Sequence, residues 1–489
     1  MRPEFVLGGD VMHFVKLLGL LGLGSIAQAQ ISSFQHIIVI VQENRTPDNL
    51  FQGLCATPRG AIDRCSTTPN ATQYNIQRSN WLDKNSSTGV TQPTPVALAN
   101  KYDLSHAHTA FVSMCDANSS AICKMDGAGD IVCTAACAGE KKPQFRFVDN
   151  SKHLVDPYLS MATQYGWANY MFQTNQGPSF PAHQFLFGGT SAPSAADDAA
   201  GIFASENMST TAEGAADGVA GCTAPSTTTV EVINPAGGEN SKVYPCFEHQ
   251  TMGDILPSSF TWRYYTPSEG SIWSAPDAIQ HICGSTGPGG KCAGQAWAQN
   301  VDLTPANVLK DIAGCNLRSV SWVIPTGQNS DHANVNDGGG PSWVTAIVNA
   351  IGNSSGCDSN TGYWKNTAIF VVWDDWGGWY DHEPPTILAK PAGDYQYGFR
   401  VPLLVVSAYT PLGYIDNQRH DFGSILRFVQ HNFGITEGAL NFADARATTD
   451  LTPFFQLAQP PRKYRAINAP KTANFFLHDR RKATDPDDQ

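Results

Sequence analysis

Thr367-Ala-Ile-Phe-Val-Val-Trp373 runs straight into Asp374-Asp375-Trp376-Gly377-Gly378. An apolar, β-branched run of this length predicts a strand buried on both faces. The two carboxylates at its end repel each other and lose hydration, which contributes nothing to a sheet. A bound cation relieves both costs. The paired glycines let the backbone turn sharply and approach a ligand closely. The competing reading makes Asp374 a helix N-cap.

A second run of the same kind, His36-Ile-Ile-Val-Ile-Val-Gln42, ends in Glu43-Asn44-Arg45. If the two strands are parallel neighbours, Glu43, Asn44, Asp374 and Asp375 meet at one carboxyl edge, where open α/β sheets bind ligands. Four oxygen donors predict one hard divalent metal ion, with Ca²⁺, Mg²⁺ or Mn²⁺ favoured over zinc. Further strands are expected at 319–324 and 401–407, and helices at 157–165, 341–351 and 421–431. This alternation indicates a mainly parallel α/β sheet.

A third segment carries a hydroxyl. In Gln173-Thr-Asn-Gln-Gly-Pro-Ser179-Phe-Pro-Ala-His183, the Gly-Pro turn places Ser179 at the start of a helix. N–H groups there favour an anion, and a nearby dication lowers the hydroxyl pKa further. A plain Ser N-cap is the alternative. His106, Lys124, His332 and His382 are candidates to bind a phosphoryl oxygen or to protonate a leaving alcohol. Each of them taken alone is equally a structural residue. The His106-Ala-His108 spacing resembles a pair of zinc ligands on a strand, but its setting reads as a polar loop.

The chain has 489 residues, 42% of them hydrophobic, which is ample for a core. Residues 1–29 read as a signal peptide: a basic lead at Lys16, an apolar stretch from Leu17 and a small-x-small site at Ala27-Gln28-Ala29. That stretch is too short to span a bilayer, and no later run is long enough, so no integral membrane segment is expected after processing. The twelve cysteines agree with an oxidising destination, periplasmic or extracellular. Local pairs such as Cys55–Cys65, Cys222–Cys246 and Cys283–Cys292 are suggested by proximity. A four-cysteine zinc site would need C-x-x-C pairs that the chain lacks. A net charge of −12 argues against nucleic acid and against electrostatic capture by anionic membranes. Residues 53–148 and 190–300, rich in small and polar residues, read as insertions, and 461–489 as a loosely held tail.

The motifs together resemble the bacterial phosphoesterase family, which includes secreted acid phosphatases and phospholipases C. Gln42-Glu-Asn-Arg-Thr-Pro-Asp-Asn-Leu-Phe51 is similar to its E-N-R-S-F-D opening, with Thr46-Pro47 in place of Ser-Phe. Thr174–His183 is similar to its nucleophile segment, and Trp373-Asp-Asp-Trp-Gly-Gly-Trp-Tyr-Asp-His382 to its acidic Gly-Gly motif. The resemblance implies an alkaline-phosphatase-like three-layer α/β/α sandwich over residues 30–460, with disulfide-tied insertions. It implies that Glu43, Asn44, Asp374 and Asp375 bind one metal ion and that Ser179 attacks phosphorus. It also implies that His106, Lys124 and His332, with His382, line the phosphate pocket. The serine nucleophile, and a chain ending at residue 489, lean toward a phosphatase acting through a phosphoseryl intermediate on small phosphoesters. A phospholipase C acting on phosphatidylcholine-type diesters is the alternative, with tryptophans offered to choline or kept in the core. A catalytically silent binding protein on the same fold is the reading from another class. A sulfatase would need Cys-x-Pro-x-Arg, and Cys55-Ala-Thr-Pro-Arg59 places its proline one position late.

Overall fold

A computed structural model describes residues 34–208, 220–388 and 395–484. The expected signal peptide lies outside the described residues. The central sheet contains β1 (His36–Gln42), β2 (Gly166–Met171), β3 (Trp262–Tyr265), β4 (Val301–Asp302), β5 (Val320–Val323), β6 (Thr367–Trp373), β7 (Leu403–Ser407) and β8 (Tyr414–His420). Their order across the sheet is β4-β3-β5-β1-β6-β7-β2-β8. β7 runs antiparallel to both neighbours, and every other pairing is parallel. β1 and β6, buried along their whole lengths, sit at the centre.

Helices cover both faces. α1 (Pro47–Leu50) follows β1, and α2 (His108–Cys115) lies in the first insertion. α3 (Asp156–Gln164) and α4 (Ser179–Gly188) flank β2 in sequence, while α5 (Gly340–Gly352) and α6 (Phe422–Asn432) follow β5 and β8. Alternation along β6 shows the two layers. The Phe370 ring meets Phe428 of α6, with centroids 5.1 Å apart, whereas Trp373, pointing the other way, meets Tyr158 of α3 at 5.1 Å. α4 packs with α6, and α5 with α3.

The first insertion is more ordered than its composition suggests. Trp81, Tyr102, Leu104, Phe111 and Met114 form a second apolar cluster with Trp376, Trp379 and Tyr380 of the Gly-Gly segment. The insertion thus builds a small core directly over the turn that follows β6. Within the second insertion, β3 joins the central sheet. Residues 461–484 lie against the body: Asn349 donates to Ile467 O at 2.9 Å, and Phe476 is buried beside Trp343. Their aromatic residues supply the apolar contact that a charged tail would lack.

All twelve cysteines are paired, as Cys55–Cys65, Cys115–Cys123, Cys133–Cys137, Cys222–Cys246, Cys283–Cys292 and Cys315–Cys357. The three pairs anticipated from proximity are among them. All eleven tryptophans are buried, none more than 7% exposed, so they form core rather than an aromatic surface. No helix among the described residues is long and apolar enough to cross a membrane.

Candidate active site

The register of β1 on β6 places the acidic ends side by side. Gln42 pairs with Trp373, so Glu43 and Asp374 leave the sheet together. The two turns then lock to each other: Asn44 N donates to Asp374 Oδ1 at 3.1 Å, and Arg45 N to Asp375 O at 3.0 Å. Asn44 adopts a positive φ of 61°. Gly377 has φ 64°, and a Cβ there would come within 2.5 Å of Asn44 O, so this turn admits only glycine without distortion.

α4 brings in the third segment. Ser179 is its first residue, and Ser179 Oγ donates to Asp375 Oδ2 at 3.1 Å. The helix start offers few amides to an anion, because Phe180 N donates to Asn207 Oδ1 and residue 181 is proline. The serine is therefore oriented by Asp375 more than by the helix terminus.

One turn on, His183 shares the inward face of α4. Its Nε2 lies 3.4 Å from Glu43 Oε1 and 3.6 Å from Asp374 Oδ2, too far for good hydrogen bonds. Its Nδ1 lies 3.3 Å from Tyr264 Oη, whose hydrogen goes to Trp273 O at 2.8 Å. Tyr264 therefore accepts from Nδ1, and the Nε2 lone pair turns toward two carboxylates. Asn44 Oδ1 and Asp374 Oδ2 are buried and accept no hydrogen bond. Glu43, His183 and Asp374 each present a ligand atom, all within 4.8 Å of one another. Lone pairs converging in this way fit a cation between them.

Two of the predicted histidines lie beside this cage. His106 Nε2 is 3.2 Å from Asn44 Nδ2 and 4.0 Å from Asp375 Oδ2. Its Nδ1 donates to Leu104 O at 2.9 Å. The His332 ring lies 5.9 Å from that of His106, and its Nδ1 donates to Ala333 O at 2.6 Å. Between His332 and the core, Asp331 accepts from Tyr158 Oη at 2.9 Å and from Trp373 Nε1 at 3.1 Å. Burial raises the Asp331 carboxyl to about 6 although Arg45 pulls it down.

The structure does not bring the other two candidates into this group. His382 Nδ1 lies 2.7 Å from Asp48 Oδ2, and its Nε2 lies 2.9 Å from Asn75 Oδ1. Asp48 and Asp381 complete that cluster, and the Arg400 guanidinium, 2.9 Å from Asp381 Oδ2, already provides its cation. Lys124 is half exposed and pairs with Asp116 and Asp126. His183 is the residue that sequence reasoning passed over. Its signal was the four-residue spacing from Ser179, which puts both side chains on one helical face.

Stretches of the chain are similar to bacterial phospholipases C. The "Non-hemolytic phospholipase C" of Burkholderia pseudomallei (strain K96243) is 27% identical over 197 residues, 35% of this chain and 27% of that protein. "Phospholipase C B" of Mycobacterium tuberculosis (strain H37Rv) is 30% identical over 179 residues, 32% of this chain and 33% of that protein. The chain thus matches a third or less of the length of these curated relatives. Among solved structures, an alkaline phosphatase superfamily protein from Vibrio parahaemolyticus is 10% identical, with TM-score 0.30, covering 58% of this chain and 61% of the other. A likeness at that level decides nothing about chemistry. Residues 34–436 match the Phosphoesterase family, and the chain belongs to that family.

Proposed function

We propose that the protein is a metal-dependent phosphoric-ester hydrolase with Ser179 as nucleophile. The observation that carries the reading is the fully buried hydroxyl of Ser179, held 3.1 Å from Asp375 Oδ2 on the same helical face as His183. Glu43, Asn44, Asp374 and His183 would hold the ion, with Asp375 between that cage and the nucleophile. The imidazole makes the donor set mixed, which favours Mn²⁺, Fe or Zn²⁺ more than an all-oxygen cage would. The bound ion supplies Lewis-acid stabilisation of the phosphoryl oxygens and of the serine alkoxide.

The chain's own groups do the rest. Asp375 orients the Ser179 hydroxyl and takes its proton as Oγ bonds to phosphorus in line with the leaving oxygen. His106 and His332 face the same space, and one of the two, in its protonated form, supplies a proton to that oxygen. Water then attacks phosphorus and gives a proton to that imidazole, the P–Oγ bond breaks, and the proton held by Asp375 returns to Ser179 Oγ. Lys124 and His382, engaged elsewhere, have no part in this scheme. Six disulfides support export to an oxidising compartment.

Ser179→Ala should lower turnover of p-nitrophenyl phosphate by about a thousandfold or more with the circular dichroism spectrum unchanged. Near wild-type turnover would remove the serine from the mechanism. The names of the similar proteins favour a second reading, phospholipase C. Comparing p-nitrophenyl phosphate with p-nitrophenylphosphorylcholine, after chelation and metal add-back, separates the two.

A further inference from the structure

His332 rides on the loop between β5 and α5, residues 324–339. The second half of that loop runs Asn334-Val-Asn-Asp-Gly-Gly-Gly340, a stretch whose backbone is costly to order from within. Core residues hold its middle. Arg45 Nε donates to Asp331 O at 2.9 Å, and Gln42 Nε2 to Asn329 O at 3.4 Å. Inside the loop, Ser330 Oγ accepts from His332 N at 3.1 Å and donates to Gly327 O at 2.8 Å, while Asn336 Nδ2 donates to His332 O. Asp337 N donates to Gln328 O at 3.2 Å and closes the two shoulders on each other. The position of the imidazole therefore follows the shoulders, residues 327–329 and 336–337.

The shoulders are fastened from outside by the end of the chain, which lies beyond the residues that match the family. Gly327 N donates to Thr484 O at 3.0 Å, and Gln328 Nε2 to Lys482 O at 2.7 Å. Asp337 Oδ2 accepts from Lys471 Nζ at 2.7 Å and from Arg481 Nη1. The Arg481 fork also donates to Asn329 Oδ1 at 3.3 Å, and its Nε donates to Asp479 Oδ1 at 2.9 Å, which sets its orientation. Between the two cations, the short helix Ala473–Leu477 buries Phe476 against Trp343 of α5, with ring centroids 5.2 Å apart. One half-exposed ion pair would hold little. Two cations on one carboxylate, two bonds to tail carbonyls and an apolar anchor act on the same few residues.

We infer that residues 471–484 strap this loop in place, with Arg481 as a positioning residue that acts through Asp337 and Asn329 to keep His332 where it can protonate a leaving oxygen. This rests on the phosphoesterase reading of the adjoining site. The contacts named above fall on the loop and on α5 rather than on the cage or on Ser179. Loosening the strap therefore leaves metal binding and nucleophilic attack alone and weakens proton delivery. A displaced donor costs most when the leaving group is a poor one. p-Nitrophenolate departs without a proton, whereas the alkoxide of glycerol needs one.

Two substrate pairs test this in the full chain: p-nitrophenyl phosphate against glycerol 2-phosphate, and p-nitrophenylphosphorylcholine against glycerophosphocholine. In whichever pair is hydrolysed, Arg481→Ala should lower kcat/KM for the glycerol ester about tenfold more than for the nitrophenyl ester, with metal content unchanged. Arg481→Lys, which keeps a cation for Asp337, should recover part of that loss. In a His332→Asn background, Arg481→Ala should change the ratio no further. Asp337→Asn should give the same signature and keeps the test alive if Arg481→Ala does not fold. An equal loss on both esters, or a further change of ratio without His332, overturns the inference and leaves the phosphoesterase reading standing. If no phosphoester is turned over, that reading falls. Wherever no pair can be compared, hydrogen exchange decides the strap: Arg481→Ala should speed exchange of the amides of residues 327–338 by about tenfold and leave those of β1 and β6 as they were. Unchanged exchange in the loop overturns the inference.

Discussion

Ser179 and His183 share one turn of α4 but meet different partners: the hydroxyl reaches Asp375, and the imidazole reaches Glu43 and Asp374. His183→Gln keeps a polar side chain but removes a nitrogen donor. Metal content after dialysis, read by mass spectrometry, should fall, with affinity lower by at least about tenfold. An unchanged metal content would exclude His183 from the cage. Asp331 makes a separate prediction. Its folded value of about 6 lies above the ordinary aspartate value of about 4. The folded state therefore binds more protons than the unfolded chain between these values. The stabilisation is present below the unfolded value and is lost as pH rises through the folded one. Relative to Asp331→Asn, the wild type should lose about 3 kcal/mol between roughly pH 4 and pH 7. Parallel denaturation midpoints for the two proteins across that range would contradict the burial argument.

The pairing of β1 with β6 is what creates the cage, because a slip of one residue would send Glu43 or Asp374 to the opposite face. The turn beyond β6 holds that register in place, and Gly377 is its tightest point. Gly377→Ala combines a left-handed backbone with a Cβ driven against Asn44. It should cost more than about 1–2 kcal/mol and displace Asn44 Oδ1, so melting temperature and metal affinity should fall together. Loss of stability alone, with metal binding intact, would mean that Asn44 is not a ligand. Both strands were legible because an unbroken apolar run is a local signal. Gly377 and Gly378 were legible as a turn for the same reason. The second core above that turn was not, since Trp81, Phe111 and Met114 come from segments whose polar composition reads as loop until Trp376 and Trp379 are set beside them.

For the whole molecule, six disulfides tie the described residues, and Cys315–Cys357 spans the longest separation, 42 residues. Replacing both cysteines by alanine should destabilise the protein by about 4 kcal/mol in the chain-entropy account, read from equilibrium denaturation. A change under about 1 kcal/mol would mean that the unfolded chain is not appreciably loosened. The sequence by itself determined which residues end the two central strands, where the helix that starts at Ser179 begins and that the chain is α/β, because periodicity and adjacency act over a few residues. Three of the six cysteine pairs were read from proximity in the same way. Only the tertiary structure decided that His183 joins Glu43 and Asp374, that His382 pairs with Asp48, and that Lys124 turns to Asp116. Those outcomes depend on register, helix rotation and the docking of insertions, which combine contacts from distant parts of the chain that no short window of sequence contains.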